Sequence, residues 1–138
     1  MQKKAGGVGL REMEEALERA RKSIELAEKL IDTDLAASAN RIYNAGENLG
    51  IAVMLSTSKV VPKSHGKIWN MVHNLYQKGI LKSDYRSLLE SSYKLRIKGD
   101  YGRDLEGEAI VISREILREH INSLKAFLKE AEELTKRE

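Results

Sequence analysis

Apolar residues recur at steps of three and four along nearly the whole chain, and a single proline, Pro62, interrupts them. Leu10, Met13, Leu17, Ala20, Ile24, Ala27 and Ile31 line one face of an amphipathic helix over about 10–31. Residues 1–9, with Gly6, Gly7 and Gly9, are expected to be disordered. Asp32, Thr33 and Asp34 offer N-cap oxygens to a second helix, whose buried face runs through Leu35, Ala39, Ile42, Ala45, Leu49, Ala52 and Val53 towards Ser56. The short connection predicts that these two helices lie antiparallel.

The stretch STSKVVPKSHGK forbids a continuous helix at Pro62 and places Ser64 to cap the next one. Ile68, Met71, Val72, Leu75 and Tyr76 then form a third helix that Gly79 can end. A fourth starts at Ser83 or Asp84, continues through Tyr85, Leu88, Leu89, Ser92 and Leu95, and closes at Gly99. The last is predicted from about Glu108 to Leu134, on a near-heptad seam of Ile112, Ile116, His120, Leu124, Phe127, Ala131 and Leu134. With one tryptophan, one phenylalanine and 33% charged residues, the 138-residue chain suits helices better than sheets. The expected fold is all-α: one domain over 1–138, an up-and-down bundle of four to five helices.

Charge is uneven along the chain. Residues 59–103 carry ten Lys/Arg against three Asp/Glu, whereas residues 1–58 carry eight against nine and residues 104–138 six against nine. The basic third is either a footprint for a polyanion or a solvated face paired with the acidic outer helices. Lys63, Lys67, Lys94, Arg96 and Lys98 are its leading phosphate contacts, joined by His65 between two of those lysines. His73 shows no partner in the sequence and reads as a surface residue; His120, on the apolar seam, reads as a core or interhelix hydrogen-bonding residue.

With no cysteine there is no disulfide framework and no thiolate metal site. Neither a secretory leader nor an apolar run of about 18 residues appears, so a cytoplasmic protein is expected. Walker, HExxH and GxSxG patterns are also missing, and no cofactor or metal is expected.

The stretch LRIKGDYG, residues 95–102, gathers an arginine, an aspartate and a tyrosine near a helix end. If that helix stops at Gly99, Asp100 can orient Arg96 as a fork for phosphate while the Tyr101 hydroxyl points into the same cleft. The bland alternative is an i,i+4 ion pair, with Tyr101 packing on the next helix. Taken with NRIYNAGENLGIAVML, VVPKSHGKIWNMV and YQKGILKSDYRSLLESSYKLRIKGDYG, the chain resembles the UPF0332 group of HEPN-domain proteins. The matching pieces are Arg41 and Tyr43, Pro62 to His65, Lys78 to Leu81, and Leu95 to Tyr101.

The resemblance implies a helical bundle, commonly a homodimer. Many HEPN domains are metal-independent ribonucleases with an R-x4-6-H motif, and several pair as toxins with a minimal nucleotidyltransferase. Arg96 matches the motif arginine, but Tyr101 stands where the histidine is expected. A phenol is a poor base near pH 7. Arg96, Asp100 and Tyr101 are the candidate catalytic group on this resemblance, and RNA or a nucleotide is the expected ligand. Arg114 and His120 share the R-x5-H spacing but fall inside the last helix, beyond the motif's position. The second reading is a non-enzymatic dimeric module that binds a nucleotidyltransferase.

Overall fold

The computed structural model describes residues 2–57, 64–101 and 112–136, with side chains for 10–57, 64–97 and 112–136. Five helices make up the fold: α1 (Gln2–Leu30), α2 (Leu35–Thr57), α3 (His65–Gln77), α4 (Arg86–Tyr101) and α5 (Arg114–Lys136). There is no strand among the described residues. The backbone of α1 is helical from Gln2, through the glycines that suggested a disordered start.

Local chemistry sets most of the boundaries. Asp34 Oδ1 accepts the Ala37 N–H at 3.1 Å and caps α2. Ser64 caps α3 by accepting the Lys67 N–H at 3.3 Å. Gly79, at φ 78°, ends α3 as the Ile80 N–H reaches back to the Leu75 carbonyl and the Gly79 N–H to Tyr76. That left-handed φ strains any residue with a Cβ, so Gly79→Ala is expected to cost about 1–2 kcal/mol. Urea unfolding measures this loss; an unchanged midpoint would show that the turn relaxes freely.

Three further boundaries differ from expectation, the smallest shift being the start of α4 at Arg86 rather than at Ser83 or Asp84. The last helix begins at Arg114 rather than near Glu108, because Ser113 caps it: its Oγ accepts the Ile116 N–H at 3.1 Å. Ile112, placed by its spacing on the helical seam, precedes the helix. Helix α4 passes through Gly99 to Tyr101, so Gly99 closes nothing and the fold-back imagined at Asp100 does not occur there. A single interior glycine costs a helix only about 1 kcal/mol.

Helix α2 is the axis of the fold and touches all four others. Ser38, Ala39, Ile42, Ala45, Leu49, Ala52 and Val53 are all buried. Gly46 and Gly50 let neighbours come close: a Cβ on Gly46 would lie 2.8 Å from Leu89 Cδ2, and one on Gly50 2.8 Å from Ile68 Cγ2. Cross-contacts show α1, α2, α4 and α5 alternating in direction. Arg19 meets Asn48 and Ser38 meets Ala27, Arg21 meets Glu132 and Lys125 meets Glu28, and Ser91 meets His120.

Helix α3 instead runs beside α2 in the same sense. Tyr43 faces His65, and seven residues further along α2 Gly50 faces Ile68 and Val72, three and seven residues further along α3. The first residue of α3 thus lies against the middle of α2, and this placement assembles the candidate site.

Candidate functional site: an arginine between two tyrosines

Each of three helices contributes a local pair. Tyr43 and Glu47 are one turn apart on α2, His65 and Trp69 one turn apart on α3, and Tyr93 and Arg96 three residues apart on α4. Their rings interlock. Tyr43 meets His65 and Tyr93 edge-on at 5.5 and 5.4 Å, and Trp69 meets Tyr93 at 5.5 Å. The Arg96 guanidinium lies over both tyrosines, its carbon 5.1 Å from the Tyr43 centroid and 5.2 Å from that of Tyr93. Such cation–π contacts hold the fork flat without neutralising it.

Arg96 has no ion-pair partner among the described residues, and its Nε is buried without a hydrogen-bond partner. A permanent cation held this way retains its capacity for an anion. Contrast Arg21, which pairs with Glu18 and Glu132, and Arg114, which pairs with Asp32.

Beside it stands a second polar arrangement. Glu47 Oε2 lies 2.8 Å from His65 Nδ1 and 3.3 Å from the Tyr43 hydroxyl, and that hydroxyl is 2.6 Å from the same Nδ1. A carboxylate 2.8 Å from a ring nitrogen requires a proton between them, so Nδ1 carries one and donates to Glu47. The Tyr43 hydroxyl then donates to Glu47 as well, with its oxygen facing the Nδ1 proton. Burial first, and then the neighbouring charge of Glu47 and the hydrogen bond to it, push the Tyr43 phenol well above its ordinary range, while Arg96 pulls weakly the other way. Tyr43 is therefore a hydrogen-bond donor and not a base.

The structure thus places Arg96 and His65, predicted from separate motifs, on the same two tyrosine rings. Tyr43, named only as part of the R-x-Y element, is the hinge between them. Lys67 and Lys94 are exposed on α3 and α4, with no side-chain hydrogen bond or ion pair among the described residues. Lys63 lies outside the described residues. Lys98, Asp100 and Tyr101 have helical backbone on α4, and their side chains lie outside the description.

Glu47, Trp69 and Tyr93 were not singled out in the sequence. The signal that could have found them is their helical spacing from Tyr43, His65 and Arg96.

The other histidines have structural partners. His73, expected to be unpartnered, is corrected: its Nδ1 lies 2.8 Å from Asp84 Oδ2, across the turn between α3 and α4. His120 bridges helices as expected, with Nε2 2.7 Å from Ser91 Oγ and Nδ1 donating to the Ile116 carbonyl at 2.8 Å. Its groove between α4 and α5, about 540 Å³ and lined by Ser83, Asp84, Ser87, Ser91 and Glu119, does not include the Arg96 cluster. Volume does not decide between them; an unpaired cation bears directly on ligand chemistry.

No group of three or more His, Asp or Glu side chains among the described residues could hold a metal, and no helix there is long and apolar enough to cross a membrane. A central helix touched by four others, with Arg96 set against two tyrosines where α2, α3 and α4 meet, defines an all-α bundle. The HEPN domain matches residues 13–134, nearly all of the bundle. The chain belongs to the HEPN-domain family. Among curated proteins, no sequence matches it.

Proposed function

We propose that this HEPN domain binds RNA or a nucleotide by seating a phosphate at Arg96, and that binding rather than bond cleavage is its role. The observation that carries this reading is the guanidinium held against Tyr43 and Tyr93 with no carboxylate to satisfy it among the described residues. Helix α3 adds support by bringing its N-terminal, dipole-positive end to the same cluster. The tyrosine in place of the motif histidine favours binding over catalysis. As the toxin-like half of a pair, the domain would act with a minimal nucleotidyltransferase; a neighbouring gene for such a protein is the test of that pairing.

Salt dependence tests the phosphate contact. If three to five cations, Arg96, Lys67 and Lys94 among them, each displace a counterion from single-stranded RNA, affinity should fall roughly 15- to 100-fold between about 50 and 200 mM salt. Fluorescence anisotropy measures this. Salt-insensitive binding, or none at low salt, contradicts the reading.

A specific surface favours the interaction-module reading. Tyr76 and Ile80 are exposed beside a groove lined by Met71, Leu75 and Lys78 at the end of α3. A symmetric homodimer is expected, and light scattering at micromolar concentration should give twice the chain mass. A monomer there removes the dimer.

A further inference from the structure

The Glu47–His65 pair lies against the same rings as Arg96 and does something the arginine cannot. In the neutral form of the ring, the proton that faces Glu47 is on Nδ1 and Nε2 presents a bare lone pair. Nε2 has no partner among the described residues, and the His65 side chain is 43% exposed, so a ligand can reach it. Among the described residues, the other titratable groups against the ring are Tyr43 on α2 and Tyr93 on α4, and the Arg96 guanidinium lies over both of those tyrosines.

An acceptor beside a phosphate fork selects its ligand. It repels a second phosphate oxygen and favours a hydroxyl or N–H donor next to the phosphate. The His65 ring lies 5.5 and 5.3 Å from the Tyr43 and Tyr93 centroids, and the Arg96 carbon 5.1 and 5.2 Å from the same two points. One nucleotide unit covers that span. In RNA the donor adjacent to the phosphate is the ribose 2′-hydroxyl, which DNA lacks.

We infer that His65, held in its Nδ1–H form by Glu47, is a specificity-determining residue that accepts the ribose 2′-hydroxyl and selects ribose over deoxyribose ligands at the Arg96 site. The inference rests on the phosphate-binding reading above. Arg96 supplies affinity common to any phosphate; His65 supplies the distinction between sugars. Glu47 acts through His65 and is a positioning residue.

The test compares three single strands of one sequence, RNA, DNA and 2′-O-methyl RNA, by anisotropy at about pH 8, where an imidazole is neutral. A 3′-monophosphate of a ribonucleoside and its 2′-deoxy counterpart serve as competitors, separating strand recognition from free-nucleotide recognition. Loss of one hydrogen bond predicts RNA binding about three- to tenfold tighter than either strand lacking the donor, or the same preference among the mononucleotides. His65→Phe, which keeps a ring against Tyr43, should lower RNA affinity to that of DNA and so erase the preference. Glu47→Gln should reduce the preference, and Glu47→Asp should restore part of it.

Equal binding of RNA and 2′-O-methyl RNA by the unaltered protein, with no preference between the mononucleotides, overturns the inference and needs no variant to do so. So does a preference that survives in folded His65→Phe. If no ligand binds in an Arg96-dependent way, the phosphate reading itself has failed.

Discussion

Arg96→Ala is expected to lower RNA or nucleotide affinity by about 10- to 150-fold, the worth of a charge-assisted fork of about 1.5–3 kcal/mol. Its helical circular dichroism should match the unaltered protein. The variant loses the packing of the guanidinium on Tyr43 and Tyr93, a cost of about 1–2 kcal/mol, and also removes a buried Nε that has no hydrogen-bond partner. These effects oppose each other, so stability should change little. Arg96→Lys keeps the charge but not the flat fork, and should fall between the two. Affinity equal to that of the unaltered protein would make Arg96 structural; an unfolded variant would assign it to the core.

Phe127→Ala should do the opposite. Phe127 is fully buried on α5 and stacks on Tyr85, centroids 4.2 Å apart and planes 7° apart. The Tyr85 hydroxyl donates to Glu130 at 2.5 Å, and Glu130 also accepts the Lys82 N–H at 2.8 Å, so this ring pair anchors the connection between α3 and α4. Truncating a buried phenylalanine costs about 3–5 kcal/mol, a large share of the 5–15 kcal/mol that holds a typical domain together. Denaturant unfolding should show that loss, while the folded fraction keeps its RNA affinity, because neither residue belongs to the Arg96 cluster. A loss below about 1 kcal/mol would mean that the core collapses into the space.

Where structure follows from local chemistry, the sequence was legible. The Asp34 and Ser64 caps and the Gly79 stop sit where their side chains, or the lack of one, require. Reading failed where two local signals competed. Ile112 continued the apolar spacing of α5, but the Ser113 hydroxyl caps the helix, which begins only at Arg114. Gly99 looked like a terminator, yet glycine also adopts ordinary helical angles, and α4 continues through it.

Tertiary proximity was harder to see. His73 finds Asp84 only because the Gly79 turn folds α4 back beside α3. His65 and Arg96 were both legible as phosphate contacts on a basic segment, but not as neighbours. They converge because α3 runs in the same sense as α2, and nothing local to STSKVVPKSHGK specifies that direction. Glu47 was missed for a related reason: its partner lies on another helix, and only the carboxylate's place one turn from Tyr43 hinted at a polar face.

The most direct test is a heteronuclear spectrum of the arginine Nε–H groups during titration with single-stranded RNA at low salt, with Arg96 assigned by the signal missing in Arg96→Lys. Phosphate seated on the guanidinium should move the Arg96 resonance first and furthest, and added salt should reverse the shift. An Arg96 signal that stays in place while those of other arginines move would put the ligand elsewhere and contradict the assignment of the cleft between α2, α3 and α4.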